Sequence, residues 1–260
     1  MLRFQENARN QQKYVEKDFQ KVFLKTEQNF GKFSISNVYL YLWQINEISR
    51  NSACSNIFCV TDFFKSMKKV GLFFGSFNPI HIGHLILANY ILENSDMEEL
   101  WFVVSPQNPF KDKKSLLKDH NRFDMVQLAV KNYPKMRASN VEFSLPKPSY
   151  TIDTLTYLHE KFPDYTFALI MGEDNLDGLK KWKNSETLIK NHQIIVYPRV
   201  FNGEKRNHEY LQHENIHLIK APVVELSATE IREMIKQGKN VRPMLPPEVF
   251  EYLDGSSFYK

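Results

Sequence analysis

Alternating apolar runs and helical patterns predict an α/β fold: a mainly parallel, doubly wound sheet with helices on both faces, plus an N-terminal extension. Three observations carry the prediction. From Met67 onward, six strand-like runs are separated by stretches with helical spacing. The first and fourth runs, KKVGLFF and YTFALIMG, are apolar without alternation, as strands covered on both faces require. Directly after the first run the chain reads GSFNPIHIGHL (Gly75 to Leu85), a strand-to-helix turn of the kind that forms a ligand crevice at the carboxyl ends of parallel strands.

Taken in order, the predicted strands are Lys68 to Phe74, Glu99 to Ser105, Ala138 to Ser144, Tyr165 to Gly172, Gln193 to Pro198 and Ile216 to Ala221. Each is a short run of β-branched and aromatic residues. Between them lie the helical patterns HLILANYILEN, HNRFDMVQLAVKN, IDTLTYLHEKF, a stretch around LKKWKNSETLIKN, and SATEIREMIKQG. The last places Ser227 and Thr229 where a helix should begin, with Ile231 and Met234 on its apolar face. Met125, Met171 and Met244 read as core.

Composition narrows the function classes. Of 260 residues, 42% are hydrophobic and 25% charged, which is ordinary for a globular protein with a substantial core. No stretch has the apolar length of a membrane span and the N-terminus lacks a signal-peptide core. Two cysteines, Cys54 and Cys59, make no disulfide framework, so a cytoplasmic setting is expected. Residues 1–66 hold 9 Lys/Arg against 6 Asp/Glu, leaving 25 against 24 for the remainder. The main body is therefore almost neutral, and the basic balance makes no case for nucleic acid. All 12 prolines follow residue 66. The expected domains are accordingly 1–66, an extension with neither the βα alternation nor a candidate phosphate ligand, and 67–260, which carries the chemistry. The extension reads equally as a docking or dimerisation appendage and as upstream sequence ahead of a start at Met67.

The turn after the first strand has a chemical reading. Gly75 would admit a ligand close to the backbone, and Pro79 stiffens the loop. His81 and His84 flank Gly83 and emerge from the first turn of a helix, where free N–H groups and the helix dipole favour an anion. Two imidazoles there can donate hydrogen bonds to charge growing on phosphate oxygens. Zinc would need three or four ligands, and no His or Cys cluster supplies them, so no metal site is expected in the protein. A helix cap plus a core histidine is the plain structural alternative. Ser227 likewise serves as an ordinary cap. Arg232, one turn further, would let hydroxyls, N–H groups and a guanidinium converge on a second phosphate group.

GxFxPxHxGH with a late SxTxxR resembles the HxGH nucleotidyltransferase superfamily. The segments VVSPQNPFK, NRFDMVQLA, PSYTIDTL, MGEDNLDGLKKWKN and LSATEIR, in that order after GLFFGSFNPIHIGHL, are similar to the bacterial nicotinate-nucleotide adenylyltransferases over about three quarters of the chain. LSATEIR departs from the commoner ISSTEIR by placing Ala228 where a serine is usual; residues 1–66 match nothing in that family. The resemblance implies a Rossmann-like fold and the transfer of AMP from ATP to nicotinate mononucleotide, without a covalent intermediate, giving deamido-NAD and pyrophosphate. It implies ATP contacts from Gly75, Ser76, Phe77, His81, Gly83, His84, Ser227, Thr229 and Arg232, with His84, His81 and Arg232 carrying catalysis and Mg²⁺ accompanying the ATP phosphates. It assigns Asn78, Lys111, Tyr150, Thr151, Asp174 and Trp182 to the nicotinate nucleotide, with Trp182 stacking on the pyridine. From the residues alone, Trp182 is also compatible with packing under a loop, Asp174 with a helix cap, and Lys111 and Arg122 with solvated surface charges.

Partners implied are these two small molecules, neither nucleic acid nor membrane, and a homo-oligomer is compatible. Three other readings are weighed. Class I aminoacyl-tRNA synthetases share the string HIGH but need a second lysine-rich loop that is absent here. A sister adenylyltransferase acting on phosphopantetheine or on the nicotinamide nucleotide has the same end motifs. A nucleotide-binding regulator that has lost catalysis would not need both histidines and Arg232.

Overall fold

The computed structural model describes residues 67–106, 116–199 and 209–260. The expectation for residues 1–66 falls outside them. The described chain begins its first strand where the sequence predicts, at Lys68, and runs β1 (Lys68–Gly75), α1 (Ile82–Glu93), β2 (Glu99–Val104), α2 (Asp119–Val130), β3 (Met136–Ser139), α3 (Thr151–Lys161), β4 (Tyr165–Gly172), α4 (Ser185–Asn191), β5 (Ile194–Tyr197), β6 (Ile216–Leu218), α5 (Ala228–Lys236) and α6 (Pro247–Asp254). The sheet order is β3-β2-β1-β4-β5-β6, and every pairing is parallel. Sequence order reverses between β1 and β4, so the crevice of a doubly wound sheet opens there.

The apolar runs are explained by what each face meets. Val70, Leu72, Trp101, Val103, Phe167, Leu169, Met171, Ile194 and Val196 point to a cluster completed by Leu155 and Leu158 of α3 and Leu188 of α4. The alternate set, including Phe73, Phe102, Val104, Ile170 and Ile195, packs on Ala88 and Ile91 of α1, Met125 and Val126 of α2, Ile231 of α5 and Val249 of α6. Both alternating sets are buried, so no polar face is left to interrupt the run. Each large aliphatic side chain so covered contributes roughly 1.5–3 kcal/mol.

Four elements depart from expectation. The third strand starts earlier, at Met136, and stops at Ser139; Val141–Ser144 is a 3₁₀ turn instead. Its valine and phenylalanine suggest a strand by composition, but Glu142 turns inward and breaks the ladder. The last strand is only Ile216–Leu218. The LKKWKNSETLIKN stretch is divided between a 3₁₀ segment, Glu173–Lys181, and α4. Helix α6 was not anticipated, although PPEVFEYLD carries a proline at its first turn, Glu248 and the i, i+4 pair Val249 and Leu253.

For Arg122 the structure excludes one of the readings left open. It is not a surface charge but wholly buried. Its Nε donates to the Leu117 carbonyl at 3.0 Å, Nη1 to the Ser76 carbonyl at 2.5 Å, and Nη2 to the Pro106 carbonyl at 3.3 Å and to Asp119 Oδ1 at 2.8 Å. One guanidinium thus fastens the turns after β1 and β2 to the start of α2. Five donors in a rigid planar fork suit arginine and no other side chain. Arg122→Met should lower unfolding stability by roughly 3–5 kcal/mol, because four acceptors lose their donor in a dry place. Arg122→Lys should recover little of it. Chemical denaturation of the three proteins checks this; a loss below about 1 kcal/mol in the Met variant would contradict the strut.

Candidate active site

The crevice is built from the turns that leave β1 and β4 and from the first turns of α1 and α5. Phe77 takes a positive φ of 45°, which swings its ring back under the strand end. A Cβ on Gly75 would lie 2.7 Å from that ring, so the glycine makes room for Phe77 rather than for a ligand. Phe77 is buried and sits edge-on to His84, with ring centroids 5.2 Å apart. Phe73 supports His84 from a second direction at 6.0 Å.

His81 is the N-cap of α1 and His84 stands in its first turn. Their rings are tilted by 32° with centroids 3.8 Å apart. The His81 backbone N–H donates to His84 Nδ1 at 3.2 Å, which fixes His84's proton on Nε2 in the neutral ring. Gly83 keeps the pair in register, since a Cβ there would sit 3.0 Å from His81 Nδ1 and 3.2 Å from Val224 Cγ1. That Nδ1 is itself buried with no hydrogen-bond partner. Burial first, then the positive charge of Arg199, pulls the His81 pKa down to about 4. At neutral pH His81 is an uncharged imidazole.

The second half of the motif converges as expected. Ser227 caps α5, its Oγ accepting from Glu230 N–H at 3.1 Å, so the ordinary capping role is realised while the residue stays exposed at the helix mouth. Arg232 donates through Nη2 to Thr229 Oγ1 at 3.2 Å and through Nη1 to the Asn78 carbonyl at 2.8 Å. The latter bond spans 154 residues and brings the start of α5 against the turn before α1. Two helix N-termini and a guanidinium therefore share one end of the sheet.

For the residues expected at the nicotinate nucleotide the picture is more divided. Tyr150 precedes α3 and is exposed, and Thr151 opens that helix. Lys183 lies over the Tyr150 ring, 5.0 Å from its centroid, and pairs with Asp153 at 2.8 Å. Its neighbour Trp182 is half-buried, its ring packed against the cluster around Leu176 and Leu179, so it has a core-facing side as well as an open one. Asp174 is not a helix cap; it lies in the first turn of the 3₁₀ segment, with Oδ1 3.6 Å from Arg199 Nε. Asn78 is buried, and its Oδ1 accepts from Leu117 N–H at 3.2 Å and from the Tyr259 hydroxyl at 2.5 Å. What Asn78 presents to the crevice is its carbonyl, on Arg232. Lys111 lies outside the described residues.

Two residues escaped the sequence reading. Arg199, just past β5, donates to the Tyr197 hydroxyl at 3.4 Å, pairs with Asp174 and influences His81. It links the acceptor side to the histidines, but the YPR string offers no local pattern to announce it. Glu142 is buried beneath the Ser149–Tyr150 turn, accepting from Thr154 Oγ1 at 2.9 Å and Ser149 Oγ at 3.2 Å. Ser105 also hydrogen-bonds it, and burial nonetheless pushes its pKa up. Among the described residues no group of three His, Cys, Asp or Glu could hold a metal, and no helix is long and apolar enough to cross a membrane.

Residues 72–234 match the family profile of cytidylyltransferase-like proteins. A probable nicotinate-nucleotide adenylyltransferase of Flavobacterium psychrophilum is 56% identical over 192 residues, covering 74% of this chain and 99% of the relative. One from Bacteroides thetaiotaomicron is 46% identical, covering 71% of this chain and 90% of the relative. A solved nicotinic acid mononucleotide adenylyltransferase of Plasmodium falciparum, in complex with NaAD, superposes with a TM-score of 0.62 at 22% identity, covering 74% of this chain and 97% of that one. At that identity it bears on fold alone, and the fold agrees.

His81's depressed pKa has a consequence for stability. A histidine held near 4 when folded and near 6.5 when unfolded leaves the unfolded chain binding more protons between those values. Its contribution is full above about pH 6.5 and is lost as pH falls towards 4. The midpoint of thermal unfolding should therefore fall more steeply from pH 6.5 to 4.5 in the wild type than in His81→Gln. Parallel curves would show that His81 titrates normally.

Proposed function

The chain belongs to the nicotinate-nucleotide adenylyltransferase family, and on that premise we propose that it transfers the AMP moiety of ATP to nicotinate mononucleotide, releasing pyrophosphate and forming deamido-NAD for NAD biosynthesis. One observation carries the assignment of chemistry to residues: the 2.8 Å bond from Arg232 to the Asn78 carbonyl, which joins the two helix N-termini over the reversal between β1 and β4. A polyphosphate is the ligand that suits two such ends at once.

The reaction needs little more than placement. The acceptor's 5′-phosphate is already an anion at neutral pH, so its oxygen attacks the α-phosphorus without a general base. The bond from the α-phosphorus to the bridging oxygen breaks, and the electron pair leaves with pyrophosphate. Charge spreads over the non-bridging oxygens on the way. His84, its proton on Nε2, donates to that charge. His81 supplies a second donor that is neutral at working pH. Arg232, with Ser227 and Thr229 beside it, holds the β- and γ-phosphates, and Arg199 adds a cation near His81. ATP enters as its Mg²⁺ complex, the ion carried by the triphosphate. Trp182 offers its open face to the pyridine, with Tyr150, Thr151 and Asp174 around the nucleotide.

Pyrophosphate release with Mg²⁺ and ATP tests this reading. Nicotinate mononucleotide should outperform its amide and phosphopantetheine by at least an order of magnitude in kcat/KM. His84→Ala should lower kcat by about 10²–10³ with little change in either KM, since it removes one donor to the transition state. Trp182→Ala should raise KM for the acceptor alone, a ring stack being worth roughly 1–3 kcal/mol. Preference for phosphopantetheine, or full turnover in His84→Ala, would overturn the assignment.

A further inference from the structure

The C-terminal segment reaches the back of the active-site turn. Ser256 caps the end of α6, its Oγ donating to the Leu253 carbonyl at 2.8 Å and accepting from Phe258 N–H at 3.1 Å. The chain then turns so that Tyr259 adopts a φ of 63°, a region that bulky side chains rarely occupy. Its hydroxyl donates to Asn78 Oδ1 at 2.5 Å, a contact across 181 residues. Burial holds this phenol well above its usual pKa, although Arg232 and Arg122 both lie close enough to oppose the shift. It is therefore a protonated donor at neutral pH.

Asn78 is the meeting point. Its side-chain oxygen takes Tyr259 and Leu117 N–H, while its own carbonyl takes Arg232. The peptide plane that seats the guanidinium is thus oriented by what grips the side chain of the same residue. We propose that Tyr259 is a positioning residue for the triphosphate: through Asn78 it sets where Arg232 stands. This rests on the reading that Arg232 holds ATP phosphates. It makes the C-terminal segment, 181 residues from Asn78 in sequence, part of what determines nucleotide affinity.

The test uses the full chain with Tyr259→Phe, Asn78→Ala and the double variant. Tyr259→Phe should lower kcat/KM for ATP by about five- to ten-fold, the worth of one hydrogen bond, with KM for nicotinate mononucleotide within two-fold. Binding of a non-hydrolysable ATP analogue should weaken by a similar factor. The double variant should be no worse than Asn78→Ala. Equal effects on both substrates, additive losses, or an unchanged Tyr259→Phe protein would each overturn the relay. If Tyr259→Phe fails to fold, wild-type affinity in Asn78→Ala overturns it instead. A wild-type chain that binds the analogue but releases no pyrophosphate would refute the reaction and leave the relay to be judged on binding.

Discussion

A turn that leaves a parallel strand has carbonyls with no neighbouring strand to take them, and burying them undonated costs on the order of 1–3 kcal/mol each. The crevice depends on how this chain meets that constraint. Arg122, completely buried, gives its donors to Ser76, Pro106 and Leu117 carbonyls and to Asp119. Arg232 gives one to Asn78. The turn before α1 is therefore held from below by one arginine and from across the crevice by another. Ring packing of Phe77 and Phe73 against His84 then has a fixed frame to act on.

Electrostatics follow from the same frame. Arg199 and Arg232 bring positive charge to a place where burial keeps His81 neutral. The guanidiniums cannot lose their protons, so they keep the site positive while His81 adds no charge. For a substrate that arrives with its own charge and needs no base, such an arrangement is sufficient. Fixed donors aimed at growing charge cost no reorganisation when the charge appears.

Much of this was legible in the residues. The uninterrupted apolar runs of β1 and β4, alternating with helical spacing, pointed to strands buried on both faces and so to a parallel sheet. The histidine pair and the Ser227, Thr229 and Arg232 group were found because both are local patterns at helix starts. Arg199 and Glu142 were not found, and Arg122 was noticed without its partners. Arg122 reaches Pro106 and Ser76, 16 and 46 residues away, Arg199 pairs with Asp174 on another strand's exit, and Glu142 takes Thr154 from the next helix; a single charged residue announces nothing about who sits beside it. Glu142 misled further, since NVEFS has strand composition while the buried carboxylate forces a turn. The roles of Trp182 and Asn78 divide for the same reason: each has one side given to packing.

The account holds that these residues position and stabilise, and that none of them takes the adenylyl group. The stereochemical course at the α-phosphorus tests that claim most directly. With ATP bearing a sulfur of defined configuration on the α-phosphate and nicotinate mononucleotide as acceptor, a single in-line displacement gives a dinucleotide of inverted configuration, and this is the predicted result. Retention would mean two displacements through an adenylylated side chain, with His81 or His84 as the nucleophile, and would contradict the account.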